Sequence, residues 1–352
     1  MVKYYNKIDG LRCVAIVVVL IEHFAFFLGK RFSAGYYGVD LFFVISGFLI
    51  TSILLKPKGS FWHSYKNFIG RRTLRIFPIY YLTILVLYIA NFSIIRQCIF
   101  YFLTYTYNYA WVYYSIPDTP VNHFWSLCVE EQFYLIWPFI VILLRNKMKW
   151  LMAVVICLII IGFSQMTFNI IPSMNEYNLI SLLTRMASLS MGALGAILHQ
   201  TGRMPDKLLR NRYFELVLFP VLLFSLITDL PIKYFLMACC SLALILKCVH
   251  SDFRYKFINT FLTHRWSIFI GTISYGIYIY HLPLSEYLNN YVFNPVWFSI
   301  PFNKFGRLSV IQWNSWVIKF PLYSALSIGL AYCSYRYIER PLLSLKDRWF
   351  KN

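Results

Sequence analysis

What most constrains this chain is a succession of long apolar runs almost free of charge. Ten stand out, at about 11–29, 36–55, 76–95, 124–144, 150–170, 179–199, 213–229, 232–249, 266–284 and 315–335. Each is long enough to carry a helix across the ~30 Å hydrocarbon core of a bilayer. Backbone in hydrocarbon must satisfy its own hydrogen bonds, so such runs fold as helices. At 59% hydrophobic residues the chain lies beyond the composition of soluble domains. The first run has no small-residue cleavage pattern and reads as a retained span rather than a removed leader. The prediction is an all-α membrane protein: a polytopic bundle of about ten transmembrane helices in one integral membrane domain over 1–352.

An eleventh apolar stretch, "CIFYFLTYTYNYAWVYY" (98–114), is settled by charge. The chain carries 33 Lys and Arg against 14 Asp and Glu, a net +19. The bases sit in short blocks between spans, the pattern of the positive-inside rule, so no nucleic-acid partner is expected. If 98–114 crossed the membrane, "RNKMK" (145–149) would fall outside. If it lies along or dips into the outer face, both termini are cytoplasmic and about 25 of the bases face inward. Its many Tyr and Trp suit an interfacial position.

Charged or titratable groups inside such spans are costly and point to function. "LRCVAIVVVLIEHFAFFLGK" (11–30) holds Arg12, Glu22 and His23. Eleven residues of helix put Arg12 and His23 on one face, within about 20° and roughly 16 Å apart along the axis. Such a helix can hold an elongated ligand, its anionic head at the arginine and its reactive end at the histidine. The plainer reading is that Arg12 snorkels to headgroups and His23 caps an interhelical contact. In "GRRTLRIFPIYY" (70–81), Arg71, Arg72 and Arg75 open the third span on the same side as Arg12. Guanidinium forks suit phosphate oxygens, although topology anchors look the same. In "GYYGVDLFFVISGFLI" (35–50), Asp40 needs a partner, and His23 is a candidate; Gly38, Ser46 and Gly47 suit close helix packing. "HFWSLCVEEQFYLIWP" (123–138) places Glu130 and Glu131 within the fourth span and His123 at its outer mouth. His281 lies near the outer end of the ninth span in "SYGIYIYHLPL", and Arg185, in the sixth, could pair with Glu130 or Glu131.

The eight cysteines lie mostly in apolar segments without ligand spacing, so neither disulfides nor a metal is expected. Phosphate-binding Gly-rich loops and the G-x-S-x-G elbow are also missing from the sequence, which argues against an ATPase, a flavoenzyme or a serine hydrolase.

Taken in order, the Arg12-to-His23 spacing, "GVDLFFVISGFLI", "RRTLRIFPIYY", "FWSLCVEEQFYLIWP" and "SYGIYIYHLPL" resemble the acyltransferase-3 family of integral membrane acyltransferases, from about residue 7 to "ERP" at 339–341. The resemblance implies an O-acyltransferase of the bacterial cytoplasmic (inner) membrane. Its donor would be acetyl-CoA or a related acyl-CoA on the cytoplasmic side. Its acceptor would be a hydroxyl of an envelope glycan such as lipopolysaccharide O-antigen, capsule or exopolysaccharide, or of a lipid-linked precursor. By this resemblance Arg12, Arg72 and Arg75 carry the coenzyme phosphates, with Arg71 beside them, and His23 is the general base or a transient acyl carrier. Asp40, Glu130 and His281 are the further catalytic candidates. Some relatives add an esterase-like domain, and the expectation here is a stand-alone enzyme. The competing reading is a transporter or flippase that uses the intramembrane Arg, His and Glu as a pathway.

Overall fold

The computed structural model describes residues 5–25, 34–56, 59–117, 119–168, 170, 180–203, 206–211, 213–299 and 316–350. No strand occurs among them. Seven helices are long and apolar enough to cross a membrane: Gly35–Leu54, Phe61–Ile89, Phe124–Leu144, Met148–Phe168, Leu182–Gln200, Ile232–His250 and Val317–Leu345. A shorter apolar helix spans Phe214–Ile227. The chain is an all-α polytopic membrane protein.

In chain order the helices are α1 (Asn6–Phe24), α2 (Ala34–Leu54), α3 (Phe61–Ile89), α4 (Ser93–Gln97), α5 (Ile99–Leu103), α6 (Tyr107–Tyr113), α7 (Phe124–Leu144), α8 (Met148–Phe168), α9 (Leu182–Gln200) and α10 (Asp206–Leu209). They continue with α11 (Phe214–Ile227), α12 (Ile232–His250), α13 (Lys256–Thr263), α14 (Arg265–Thr272), α15 (Ser274–Leu288), α16 (Asn294–Ser299), α17 (Trp316–Ser334) and α18 (Arg340–Trp349), with π-helical turns at Asn289–Phe293 and Tyr335–Glu339. Ten expected spans thus meet a helix each, or in the ninth a helix pair broken at Ile273. The span ends at 26–29, 169, 179 and 315 lie outside the described residues.

Two features matter, a departure at the third span and the expected non-crossing stretch after it. The third helix starts well before its apolar run: Ser60 accepts the amide of His63 at 3.3 Å and starts a helix of 29 residues that includes Arg71, Arg72 and Arg75. The aromatic stretch near 98–114, by contrast, never becomes one helix. It breaks into α5 and α6, with the short α4 just before it, and positive φ angles at Asn91 (63°), Tyr105 (53°) and Ser115 (45°) turn the chain around them. Helices of five to seven residues reach roughly 8–10 Å, far short of the bilayer core.

At the centre α2 packs on α9, with α1, α7 and α12 also against it. The α2–α9 contact is backbone on backbone. A Cβ at Gly47 would collide with the carbonyl oxygen of Leu189, and one at Gly192 with that of Val44. Both chain ends touch segments that charge assigns to a single side: Lys7 pairs with Asp252, and Arg71 donates to the Phe350 carbonyl.

Candidate active site

Four helices and α2 enclose a cavity of about 710 Å³, open mouth included. α1 supplies Arg12, held by the carboxylate of Asp9 one turn earlier at 3.0 Å. α3 supplies Arg72 and Arg75, also one turn apart. α7 contributes Ser126, Glu130 and Tyr134, spaced at i, i+4 and i+8 and therefore on one face. Tyr275 and Tyr278 come from α15, and Ser46 from α2. The Arg72 guanidinium lies 4.7 Å from the centre of the Tyr134 ring, whose hydroxyl shares a 2.7 Å hydrogen bond with Ser46. Ser46 is therefore cavity wall rather than mere packing. Arg72 and Arg12 are the cations whose charge acts on Glu130, and Glu130 in turn acts on Glu131 beside it. Asp9 and Glu339 face Arg75. Among the described residues three guanidiniums and one carboxylate line the cavity itself, while Asp9 and Glu339 stand behind the arginines; the forks that face the cavity suit phosphate oxygens.

Arg71 does not join them. Its Nε and an Nη donate to the Phe350 carbonyl at 3.1 and 2.5 Å, and it is not among the lining residues. On a helix its side chain points some 100° away from Arg72.

A second cluster consists of histidines. The His23 and His281 rings lie 5.0 Å apart, and those of His281 and His123 4.6 Å. His281 is fully buried, with Nδ1 2.7 Å from the Tyr278 carbonyl. That nitrogen must donate, so the proton sits on Nδ1 and Nε2 keeps a free lone pair. Nε2 is buried without a hydrogen-bond partner. His123, expected at an outer mouth, is buried within the cluster, whereas His23 is its exposed member.

Asp40 is not the partner of His23. It accepts from Arg185 at 2.8 Å and from Ser188 at 3.1 Å. The Arg185 guanidinium also lies 5.2 Å from the Trp125 ring, 5.8 Å from that of Tyr36 and 5.9 Å from that of Tyr234. Arg185 thus pairs with neither Glu130 nor Glu131. The reason is helical phase: Asp40, Val44 and Gly47 share the face of α2 that meets α9. Glu22 is likewise engaged elsewhere, its carboxylate accepting the Gly35 amide at 3.3 Å at the start of α2.

Tyr278 links the two clusters. It lines the arginine cavity, and its ring centre lies 5.3 Å from that of His123 and 5.6 Å from that of His281. Its hydroxyl meets Ser126 Oγ at 2.6 Å and donates to the His123 carbonyl at 3.0 Å. None of the three histidines lines the cavity; Tyr278 is the wall between. The sequence reading missed Tyr278, Ser126, Tyr134 and Glu339. The i, i+4, i+8 spacing of Ser126, Glu130 and Tyr134 was the available signal.

Residues 5–336 match the acyltransferase domain family. The chain belongs to the acyltransferase-3 family. This acyltransferase-3 protein is 29% identical to the peptidoglycan O-acetyltransferase OatA of Listeria monocytogenes, over 97% of this chain and 56% of that protein. It is 28% identical to YrhL of Bacillus subtilis, provisionally named a peptidoglycan O-acetyltransferase, over 99% of this chain and 56% of that one. A provisionally named O-acetyltransferase of Staphylococcus aureus is 27% identical over 96% of this chain and 57% of its own. The chain thus spans a little over half the length of these relatives. No solved structure matches it.

Proposed function

We propose that the protein is a membrane O-acetyltransferase that takes an acyl group from acyl-CoA to a hydroxyl of a cell-envelope glycan. The observation that carries this reading is the shared wall: Tyr278 lines the cavity that holds the three guanidiniums and packs on His123 and His281, the second of which lies 5.0 Å from His23. Coenzyme A is a polyanion on a long arm. Its phosphates suit Arg12, Arg72 and Arg75, and the roughly 16 Å between Arg12 and His23 matches an extended arm carrying the thioester to the histidines. The names of the relatives make acetyl the natural acyl group and bring peptidoglycan among the envelope glycans that would serve as acceptor.

In this reading the acceptor oxygen attacks the thioester carbonyl while His23 takes its proton. The tetrahedral intermediate collapses, the C–S bond breaks and the coenzyme leaves as thiolate, which takes the proton back from the imidazolium. General-base help of this kind contributes about 10²–10⁴-fold. His281 packs its ring 5.0 Å from that of His23 and so restricts the orientation of that imidazole. Glu130 tempers the charge of Arg72 and Arg12 in the donor cavity. The test is transfer of radiolabelled acetyl from acetyl-CoA to envelope glycan in membranes holding the protein. Transfer that is lost in His23→Ala supports the reading; no transfer by the wild type, with substrate moved across proteoliposomes instead, overturns it in favour of a transporter.

A further inference from the structure

Each arginine that lines the cavity has an acid near it. Arg12 pairs with Asp9 at 3.0 Å, and the charge of Arg72 acts on Glu130. For Arg75 the acid comes from the other end of the chain. It is Glu339, which closes the π turn after α17.

The π turn is what brings Glu339 inward. Along α17 the buried stripe runs through Tyr323, Ser327, Ala331 and Ser334, the i, i+4, i+8 and i+11 face of an α-helix. Four residues further the same register would bury Ile338. The stripe reaches Glu339 instead, which is 7% exposed, while Ile338 is half-buried. In the π turn Tyr335–Glu339 the Arg340 amide donates to the Tyr335 carbonyl five residues back, so this turn holds one residue more than an α turn. Pro341 has no N–H for the Tyr337 carbonyl, so α-helical bonding cannot run unbroken through this point. A shift of one residue thus buries a carboxylate where the α register would bury an isoleucine. Burying an acid is costly unless it has partners, and single π turns recur at functional sites.

The partners are in place. Ser334 Oγ donates to Glu339 Oε1 at 3.4 Å. The same oxygen lies against Gly276, where a Cβ would stand 3.6 Å from it, and Gly276 follows the cavity residue Tyr275. The π turn packs on α3, the helix of Arg72 and Arg75. Glu339 is not among the residues that line the cavity, so it stands behind Arg75. Arg75 needs that backing, because Arg12 and Arg72 both repel it and Asp9 is engaged by Arg12. We propose that Glu339 is a positioning residue of the donor site: it holds the Arg75 guanidinium at the cavity wall, against its two like-charged neighbours, in the pose that meets a coenzyme phosphate. This rests on the acyl-CoA reading above and gives Glu339 no contact with substrate.

The sign of one replacement separates this role from a plain field effect. A carboxylate that merely opposed the cavity's positive charge would weaken polyanion binding, and its removal would tighten it. A carboxylate that positions Arg75 does the opposite. Acetyl-CoA affinity is measured by calorimetry on the intact protein in detergent. Glu339→Gln should weaken it roughly tenfold, and Arg75→Ala combined with Glu339→Gln should bind no more weakly than Arg75→Ala alone. Turnover at saturating acetyl-CoA should stay within about twofold of wild type, so that the loss falls on KM rather than kcat. Glu339→Asp keeps the charge one methylene short and should weaken binding about threefold, again only where Arg75 is present. Unchanged or tighter binding in Glu339→Gln, or a loss that adds to that of Arg75→Ala, would overturn the inference; if the Gln variant does not fold, the Asp variant decides by the same two criteria. A wild type that binds no acetyl-CoA would sink the donor reading itself, whereas binding lost with Arg75 but indifferent to Glu339 would sink this inference alone.

Discussion

Asp40 and Arg185 meet at 2.8 Å with neither side chain exposed, and they join α2 to α9 at the centre of the bundle. A carboxylate in an acyltransferase span invites a catalytic reading, yet this one serves a guanidinium that is also surrounded by three aromatic rings. Removing one partner strands the other charge in an apolar interior, at a cost of about 3–5 kcal/mol. Asp40→Ala and Arg185→Ala should each lower the melting temperature in detergent sharply. The double replacement Asp40→Leu with Arg185→Met should recover much of the loss. Recovery of folding by the pair, measured by thermal unfolding, separates a structural ion pair from a catalytic one.

His23→Ala and His281→Ala should leave acetyl-CoA affinity close to wild type and cut turnover by about 10²–10⁴-fold. Calorimetric binding in detergent and acetyl transfer in membranes give the two readings separately.

The arginines should divide. Losing Arg12, Arg72 or Arg75 to alanine removes a charge-assisted contact worth about 1.5–3 kcal/mol, and so should weaken acyl-CoA binding roughly ten- to a hundredfold. Arg71→Ala should leave affinity unchanged and only loosen the tail held through Phe350, visible as faster proteolysis there.

Gly192→Ala places a methyl group where the Val44 carbonyl already stands. Neither backbone can yield cheaply, so the helices must part, at a cost of about 1–3 kcal/mol or more. A lower unfolding temperature is expected, with residual activity in the folded fraction.

Much of this was legible in the sequence. Hydropathy located the spans, because bilayer thickness fixes helix length. Charge bias kept 98–114 from crossing, and the short helices agree. Helical spacing paired Arg72 with Arg75 and set Arg12 a fixed rise below His23. What spacing could not reveal is which face of one helix meets which neighbour. Asp40 was open to His23 until the phase of Gly47 turned it toward α9. Arg71 looked equivalent to Arg72 one residue on, and His123 looked like an interfacial residue because its neighbours in the cluster come from helices far away in sequence.

The glycine contact between α2 and α9 has a mechanical consequence. With carbonyls already where Cβ atoms would be, that pair behaves as a keel that neither slides nor opens. The proposed chemistry hangs on α1, α3, α7 and α15 around it. Any breathing that admits a donor, or lets a thioester slip past Tyr278, must come from those outer ribs while the keel holds still.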